Sequence, residues 1–183
     1  KRQTTSMATH IFMEAGADPT VMIGGTLPLL HSGYRVGQGD TIILESCEYC
    51  NSFLNFFPTV AVILNVEEDH LDFFKDLADI EHSFHAFADL VPQRGYIISN
   101  ADDAGARDSV KGLQHPVFTF AVQDRTADCV ADNVSFFDGC PVFDVVIHGE
   151  VYAHVELKIP GKHNILNTLA CLLYTSPSPR DKR

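Results

Sequence analysis

The sequence has 183 residues, of which 45% are apolar and 20% are charged, so it can bury a sizeable core. This composition argues against a disordered chain, a collagen-like chain or a disulfide scaffold. Lys and Arg number 13 against 24 Asp and Glu, and the formal charge of −11 predicts no nucleic-acid partner.

The N-terminal part of the chain alternates helical and apolar segments. Residues 4–15 predict a helix that ends at Gly16. Apolar runs follow at residues 20–23, which Gly24-Gly25 is expected to stop, at 41–44 and at 60–64. Continuous apolar runs of this length are typical of strands buried on both faces, as in a parallel sheet.

The middle of the chain continues the alternation. Residues 79–91 have the spacing of an amphipathic helix and are followed by a strand over 95–100. A short helix over 102–110 and a strand over 117–122 come next. Strands that alternate with helices predict a doubly wound α/β fold with a mainly parallel sheet.

The pattern then changes to hairpins. Segments 129–136, 142–148 and 151–159 follow one another through turns at Asp138-Gly139 and Gly149-Glu150. Apolar and polar residues alternate in the last segment, which predicts a small antiparallel β-sheet subunit. Residues 163–171 then have the pattern of a helix that is beginning.

The last residues of the chain do not fit this pattern. Residues 174–183 are polar and Pro-rich and resemble translated adapter sequence. We therefore exclude residues 172–183 and predict one domain over residues 1–171. No apolar run approaches the roughly 18 to 20 residues that cross a bilayer, which predicts no membrane partner. Five cysteines, an odd number, suggest no secreted disulfide framework, and we expect a cytoplasmic protein.

Lys1, followed by Thr4, Thr5 and a helix, has the pattern that ends a phosphate-binding loop. In such loops a lysine and backbone N–H groups contact phosphates, and a hydroxyl contacts Mg²⁺. The glycines that precede the lysine in such loops do not stand before Lys1. A chain end with no function remains the alternative.

Acidic residues follow two of the predicted strands. Glu45 ends the 41–44 strand, and residues 67–72 place four carboxylates and His70 after the 60–64 strand. The carboxyl ends of parallel strands share one sheet edge, where ligands bind and where carboxylates hold Mg²⁺. The alternatives are a solvated strand end for Glu45 and, for residues 67–72, an acidic helix N-terminus.

Two further patterns admit a functional interpretation. Cys47 and Cys50 have redox or zinc spacing, although no second pair accompanies them. Asn164 and Asn167 share one face of the last predicted helix, and two amides there can pair with the edge of a purine. Helix capping and core packing are the alternative for the asparagines.

Taken in order, these motifs resemble the Mur ligase family, and the resemblance covers residues 1–171. No single motif is decisive, whereas the ordered set is specific. The motifs are Lys1 with Thr4-Thr5-Ser6-Met7, then Ile23-Gly24-Gly25, and then residues 45–54, 65–72, 100–103 and 161–167.

The resemblance implies the central ATP-binding domain of a ligase that joins L-alanine to UDP-N-acetylmuramate through an acyl phosphate. It implies a cut within the phosphate loop and further domains on both sides, so this chain alone is expected to be inactive. By the same resemblance, Lys1 and Thr4 contact ATP phosphates, Glu45 and His70 hold Mg²⁺, and Lys1 and His70 are catalytic. Asn164 and Asn167 would contact the nucleotide.

One residue departs from the family pattern. Threonine follows the loop lysine in the family, whereas Arg2 and Gln3 stand here. Either the first residues are corrupted, which we favour, or the first metal site is damaged. Two alternative functions remain. Arg2 favours a non-catalytic nucleotide-binding module, and a family member that recycles a tripeptide onto UDP-N-acetylmuramate would share the same architecture.

Overall fold

The computed structural model describes residues 1–176, which divide into two compact units. The first unit covers Lys1–Ser46 and the second begins at Cys47. Each unit has its own sheet, and each is described by itself.

The first unit packs one helix against a three-stranded sheet. Helix α1 (Arg2–Glu14) precedes strands β1 (Thr20–Leu27), β2 (Ser32–Arg35) and β3 (Ile42–Leu44). The strand order is β2-β1-β3, with β1 parallel to β3 and antiparallel to β2. The predicted parallel pairing is therefore confirmed for β1 and β3. The predicted burial on both faces is wrong for this pair, because Met22, Ile42 and Leu44 are exposed.

The glycines of the first unit lie inside its sheet. We expected Gly24-Gly25 to end β1, but the strand runs on to Leu27 and pairs with β2, which was not predicted. A Cβ on Gly33 would lie only 2.9 Å from the Gly25 carbonyl oxygen. The glycines therefore allow β1 and β2 to approach closely instead of stopping the strand.

The second unit contains one six-stranded sheet whose strands lie in chain order. It consists of β4 (Val60–Ile63), β5 (Tyr96–Asn100), β6 (Val117–Ala121), β7 (Cys129–Phe137), β8 (Cys140–Ile147) and β9 (Glu150–Glu156). Strands β4 to β7 are parallel, and β7, β8 and β9 are antiparallel. The mainly parallel α/β fold is confirmed. The predicted antiparallel strands β7, β8 and β9 belong to this same sheet, because β7 pairs with β6. The small separate sheet is the three-stranded sheet of the first unit.

Helices cover both faces of the six-stranded sheet. Helices α2 (Leu77–Asp89) and α3 (Ala104–Ser109) contribute to a core that includes Ile97, and α4 (His163–Thr175) contributes to one that includes Ile98. Neighbouring residues of one strand point to opposite faces, so these two isoleucines reach different cores. The doubly wound arrangement is therefore confirmed.

The C-terminal helix is longer than the sequence pattern indicated. Helix α4 continues to Thr175, and the Leu173 side chain is buried in the core of the second unit. The helix therefore continues past residue 171, where the sequence pattern placed the end of the domain. The rest of the excluded tail, residues 177–183, lies outside the described residues. Within residues 1–176, none of the helices has the length and apolar character needed to cross a membrane.

Candidate functional site

Lys1 and Thr4 lie at the start of α1 in the first unit. The Lys1 carbonyl oxygen accepts hydrogen bonds from the backbone N–H of Thr5 at 3.1 Å and from its hydroxyl at 3.3 Å. Lys1 is exposed, whereas Thr4 is buried. The predicted phosphate residues therefore stand at a helix N-terminus, where the helix dipole favours an anion.

Glu45 directly follows β3 and is anchored to β1. Its backbone N–H donates to the Met22 carbonyl oxygen at 2.8 Å, and its carboxylate accepts from the Gly24 N–H at 2.7 Å. A Cβ on Gly24 would lie 3.3 Å from that carboxylate, so glycine leaves room for the contact. One Glu45 oxygen is thus held by the backbone of its own unit.

Arg2 occupies the position after Lys1 and lies against the same strand. A Cβ on Gly25 would lie 3.0 Å from the central carbon of the Arg2 guanidinium. The Arg2 side chain therefore lies against β1 at Gly25.

The second unit brings three potential metal ligands together. The ligand atoms of Glu48, Asp69 and His70 all lie within 4.8 Å of one another. Glu48 is buried, His70 is half-buried and Asp69 is exposed, so the cluster opens to solvent on one side. Two carboxylates and an imidazole suit Mg²⁺ or Mn²⁺ when water or phosphate oxygens complete the shell.

Local backbone geometry orients this cluster. His70 has a φ of +54°, and its N–H donates to Asp69 Oδ1 at 2.7 Å. The imidazole Nε2 then lies 3.7 Å from Asp69 Oδ2.

The segment that carries Glu48 is anchored to α2. The Phe53 ring stacks on Phe87 with centroids 4.7 Å apart, and Ser83 donates a hydrogen bond to the Asn51 side chain. Phe53 is 2% exposed, so the segment after Glu48 is tied into the core. This anchoring holds a buried acid close to the loop after β4.

Only part of the predicted acidic run, residues 67–72, joins the cluster of potential metal ligands. Asp69 and His70 enter the cluster, whereas Glu67 and Glu68 are exposed. The sequence does not predict Glu48 as a ligand, because its local spacing does not show that this residue meets the loop after β4. The expectation that Glu45 and the acidic run share one sheet edge is wrong, because β3 and β4 belong to different sheets.

Asn164 and Asn167 interact with each other on α4. Asn164 is fully buried and donates its amide to the Pro160 carbonyl oxygen at 2.8 Å. Its own oxygen accepts from the Asn167 amide at 3.2 Å. Asn164 therefore anchors the start of α4 and orients Asn167, which is only half-buried.

All five cysteines are free thiols in the structure. Cys47 and Cys50 are exposed, and neither joins the cluster of potential metal ligands. The structure therefore gives no support to a zinc site at this pair. Burial raises the pKa of the Cys129 thiol to about 12, so that cysteine is an apolar core residue.

A sequence profile of the Mur ligase middle domain matches residues 3–175. The chain therefore belongs to the Mur ligase family. It is 42% identical over 176 residues to UDP-N-acetylmuramate–L-alanine ligase from Caldanaerobacter subterraneus subsp. tengcongensis. That match covers 96% of this chain and 38% of the relative, so the chain spans well under half of the protein it matches.

Solved structures of ligases with other names share the fold. One is the UDP-N-acetylmuramate:L-alanyl-γ-D-glutamyl-meso-diaminopimelate ligase from Neisseria meningitides, with 26% identity and a TM-score of 0.82. That comparison covers 95% of this chain and 57% of the ligase. The MurF ligase from Thermotoga maritima, solved in complex with ADP, has 19% identity and a TM-score of 0.71 over 95% of this chain and 42% of its own. The fold by itself thus does not discriminate among incoming substrates.

Proposed function

We propose that this chain is the nucleotide-binding domain of an ATP-dependent ligase that joins L-alanine to UDP-N-acetylmuramate in peptidoglycan synthesis. The 42% identity to a ligase of that name supports the substrate assignment. The observation that carries the proposal is the cluster of Glu48, Asp69 and His70, because a phosphoryl-transfer site needs a divalent cation.

We assign the roles unit by unit. In the first unit, Lys1 and Thr4 contact ATP phosphates, and Glu45 is a cation ligand through the oxygen that Gly24 leaves open. In the second unit, His70 is a cation ligand together with Glu48 and Asp69. Asn167, held by Asn164, contacts the nucleotide. Lys1 and His70 are the proposed catalytic residues.

The proposed reaction forms an amide bond in two steps. The substrate carboxylate attacks the γ-phosphorus of ATP, ADP leaves and an acyl phosphate forms. The alanine amine then attacks the acyl carbon, phosphate leaves and the amine loses a proton. A bound divalent cation supplies charge neutralisation for the phosphates. The side chains of the chain contribute position and charge, because phosphoryl transfer needs little other covalent chemistry.

Cation binding tests the proposal directly. Glu48→Gln keeps the shape of the side chain but removes a charged ligand, so we expect Mn²⁺ affinity to fall at least tenfold. The measurement is free Mn²⁺ by electron paramagnetic resonance during titration of the protein, with Mg²⁺ as competitor. Glu67→Gln is the matched control, because it removes the same charge from an exposed position outside the cluster.

Two results would contradict the assignment. The first is Mn²⁺ affinity unchanged by Glu48→Gln, and the second is an equal loss in Glu67→Gln. An equal loss would mean that the cation responds only to the net charge of −11.

A further inference from the structure

Tyr49 joins the two segments that carry the cluster of potential ligands. It directly follows Glu48 in the chain, and its ring lies 4.8 Å from the His70 imidazole, centroid to centroid, at an angle of 44°. Its hydroxyl donates a hydrogen bond to Asp72 Oδ2 at 3.0 Å. The Tyr49 ring also meets the edge of Phe73 at 6.2 Å.

These contacts restrain the groups on either side of the ligands. His70 has a left-handed backbone, and a non-glycine residue keeps that conformation only where surrounding contacts hold it. The Tyr49 ring supplies a neighbour on the imidazole, and the hydroxyl ties the loop two residues further on, at Asp72. Because Glu48 is adjacent in the chain, the Tyr49 side chain links Glu48 to His70 in addition to the anchoring at Phe53.

We propose that Tyr49 is a positioning residue for the cation site, acting through its ring on His70 and through its hydroxyl on Asp72. This inference rests on the proposed function, because it needs Glu48, Asp69 and His70 to be ligands. The Tyr49 hydroxyl donates to Asp72 rather than to Glu48, Asp69 or His70, so the proposed role of Tyr49 is to position the ligands. Removing the Tyr49 side chain keeps all three ligand residues in the protein but allows their side chains to move relative to one another, which weakens cation binding.

Two substitutions separate the contributions of the ring and the hydroxyl. Tyr49→Ala removes both contacts, and we expect Mn²⁺ affinity to fall about tenfold. Tyr49→Phe keeps the ring and loses the hydrogen bond to Asp72, and we expect a loss of about threefold. Tyr34→Ala is the control, because Tyr34 is a 68% exposed tyrosine in the first unit and lies outside the cluster. Free Mn²⁺ is again measured by electron paramagnetic resonance.

A second readout reports geometry rather than affinity. Bound Mn²⁺ broadens the nuclear magnetic resonance signals of nearby nuclei, and the His70 imidazole signal is identified by its absence in His70→Gln. At equal Mn²⁺ occupancy, we expect less broadening of this signal in Tyr49→Ala than in the unchanged protein. A side chain that only stabilises the fold would leave that broadening unchanged.

The outcomes separate this inference from the proposed function. If Glu48→Gln leaves Mn²⁺ binding intact, the site itself is wrong and this inference falls with it. If Glu48→Gln weakens binding and Tyr49→Ala stays within twofold of the unchanged protein, only the positioning role is overturned. An equal loss in Tyr34→Ala also overturns it. Should Tyr49→Ala fail to fold, Tyr49→Phe decides, and affinity equal to that of the unchanged protein overturns the role.

Discussion

At the scale of single residues, the antiparallel end of the large sheet carries an exposed charge pair. The His154 Nδ1 hydrogen bonds to Asp144 Oδ1 at 2.7 Å, and the Asn133 amide donates to Asp144 Oδ2 at 2.7 Å. The Asn133 and His154 hydrogen bonds lower the pKa of Asp144. The hydrogen bond to Asp144 raises the pKa of His154, and the nearby Glu156 adds to this shift.

The signs of these shifts define a pH window. His154 stabilises the fold fully below its ordinary pKa of 6.5, and this contribution is lost as pH rises through the raised folded value. Asp144 contributes fully above its ordinary pKa of 3.8, and this contribution is lost as pH falls through the lowered folded value. The pair therefore favours the folded state between the two ordinary values.

A nuclear magnetic resonance titration tests the His154 pair. We expect the His154 imidazole to titrate with a midpoint above 6.5. Asp144→Asn removes the charge that favours the imidazolium, so the midpoint should fall in that variant. Equal midpoints in both proteins would show that the Asp144 contact does not persist in solution.

At the scale of elements, α4 packs on the large sheet beyond the predicted end of the helix at residue 171. Its buried side chains, which include Ile165, Leu169 and Leu173, pack on the face of the sheet that contains Ile98. The sequence pattern did not predict this last turn, because residues 174–183 are polar and Pro-rich. Burial of the Leu173 side chain therefore stabilises a helical turn that the sequence of the segment did not predict.

Substitutions in the last turn of α4 test its role. Leu173→Ala should lower the free energy of unfolding by about 2–4 kcal/mol, because it leaves a cavity against the sheet. Leu172→Ala, at a half-buried position next to it, should cost clearly less. Urea unfolding followed by circular dichroism measures both. An unchanged midpoint for Leu173→Ala would mean that the helix does not pack beyond residue 171.

At the scale of the whole molecule, the chain corresponds to only part of the length of its relatives. It spans 38% of the alanine-adding relative, although that match covers nearly all of the chain itself. A site for two substrates and a nucleotide is therefore not expected from these residues alone. The proposed share of the work is to bind the nucleotide and its cation.

A turnover assay tests that division. With Mg²⁺, ATP, UDP-N-acetylmuramate and L-alanine, we expect this chain to release no alanine-dependent phosphate. The full-length ligase from Caldanaerobacter, assayed in parallel, is the positive control. Alanine-dependent phosphate release by this chain would show that the proposed division between this domain and the rest of the ligase is wrong.

Local pattern predicted most elements because each one depends on neighbouring residues. The amphipathic spacing of 79–91 and the apolar runs at 41–44 and 60–64 correspond to α2, β3 and β4 within a few residues. Turn glycines located the hairpins, although the second turn lies at His148-Gly149, one residue before the predicted position. Ordered motifs also led to the correct family.

The sequence alone thus determined the class of fold, the family and the acidic loop after β4, since all three are written in local spacing and motif order. Tertiary structure decided that Glu48 joins Asp69 and His70, because residues about twenty apart meet only when the segment at Phe53 is anchored to α2. It also decided that β1 passes through Gly24-Gly25 and that α4 buries Leu173. The course of β1 and the burial of Leu173 depend on the residues that pack against them, and those residues are distant in the sequence.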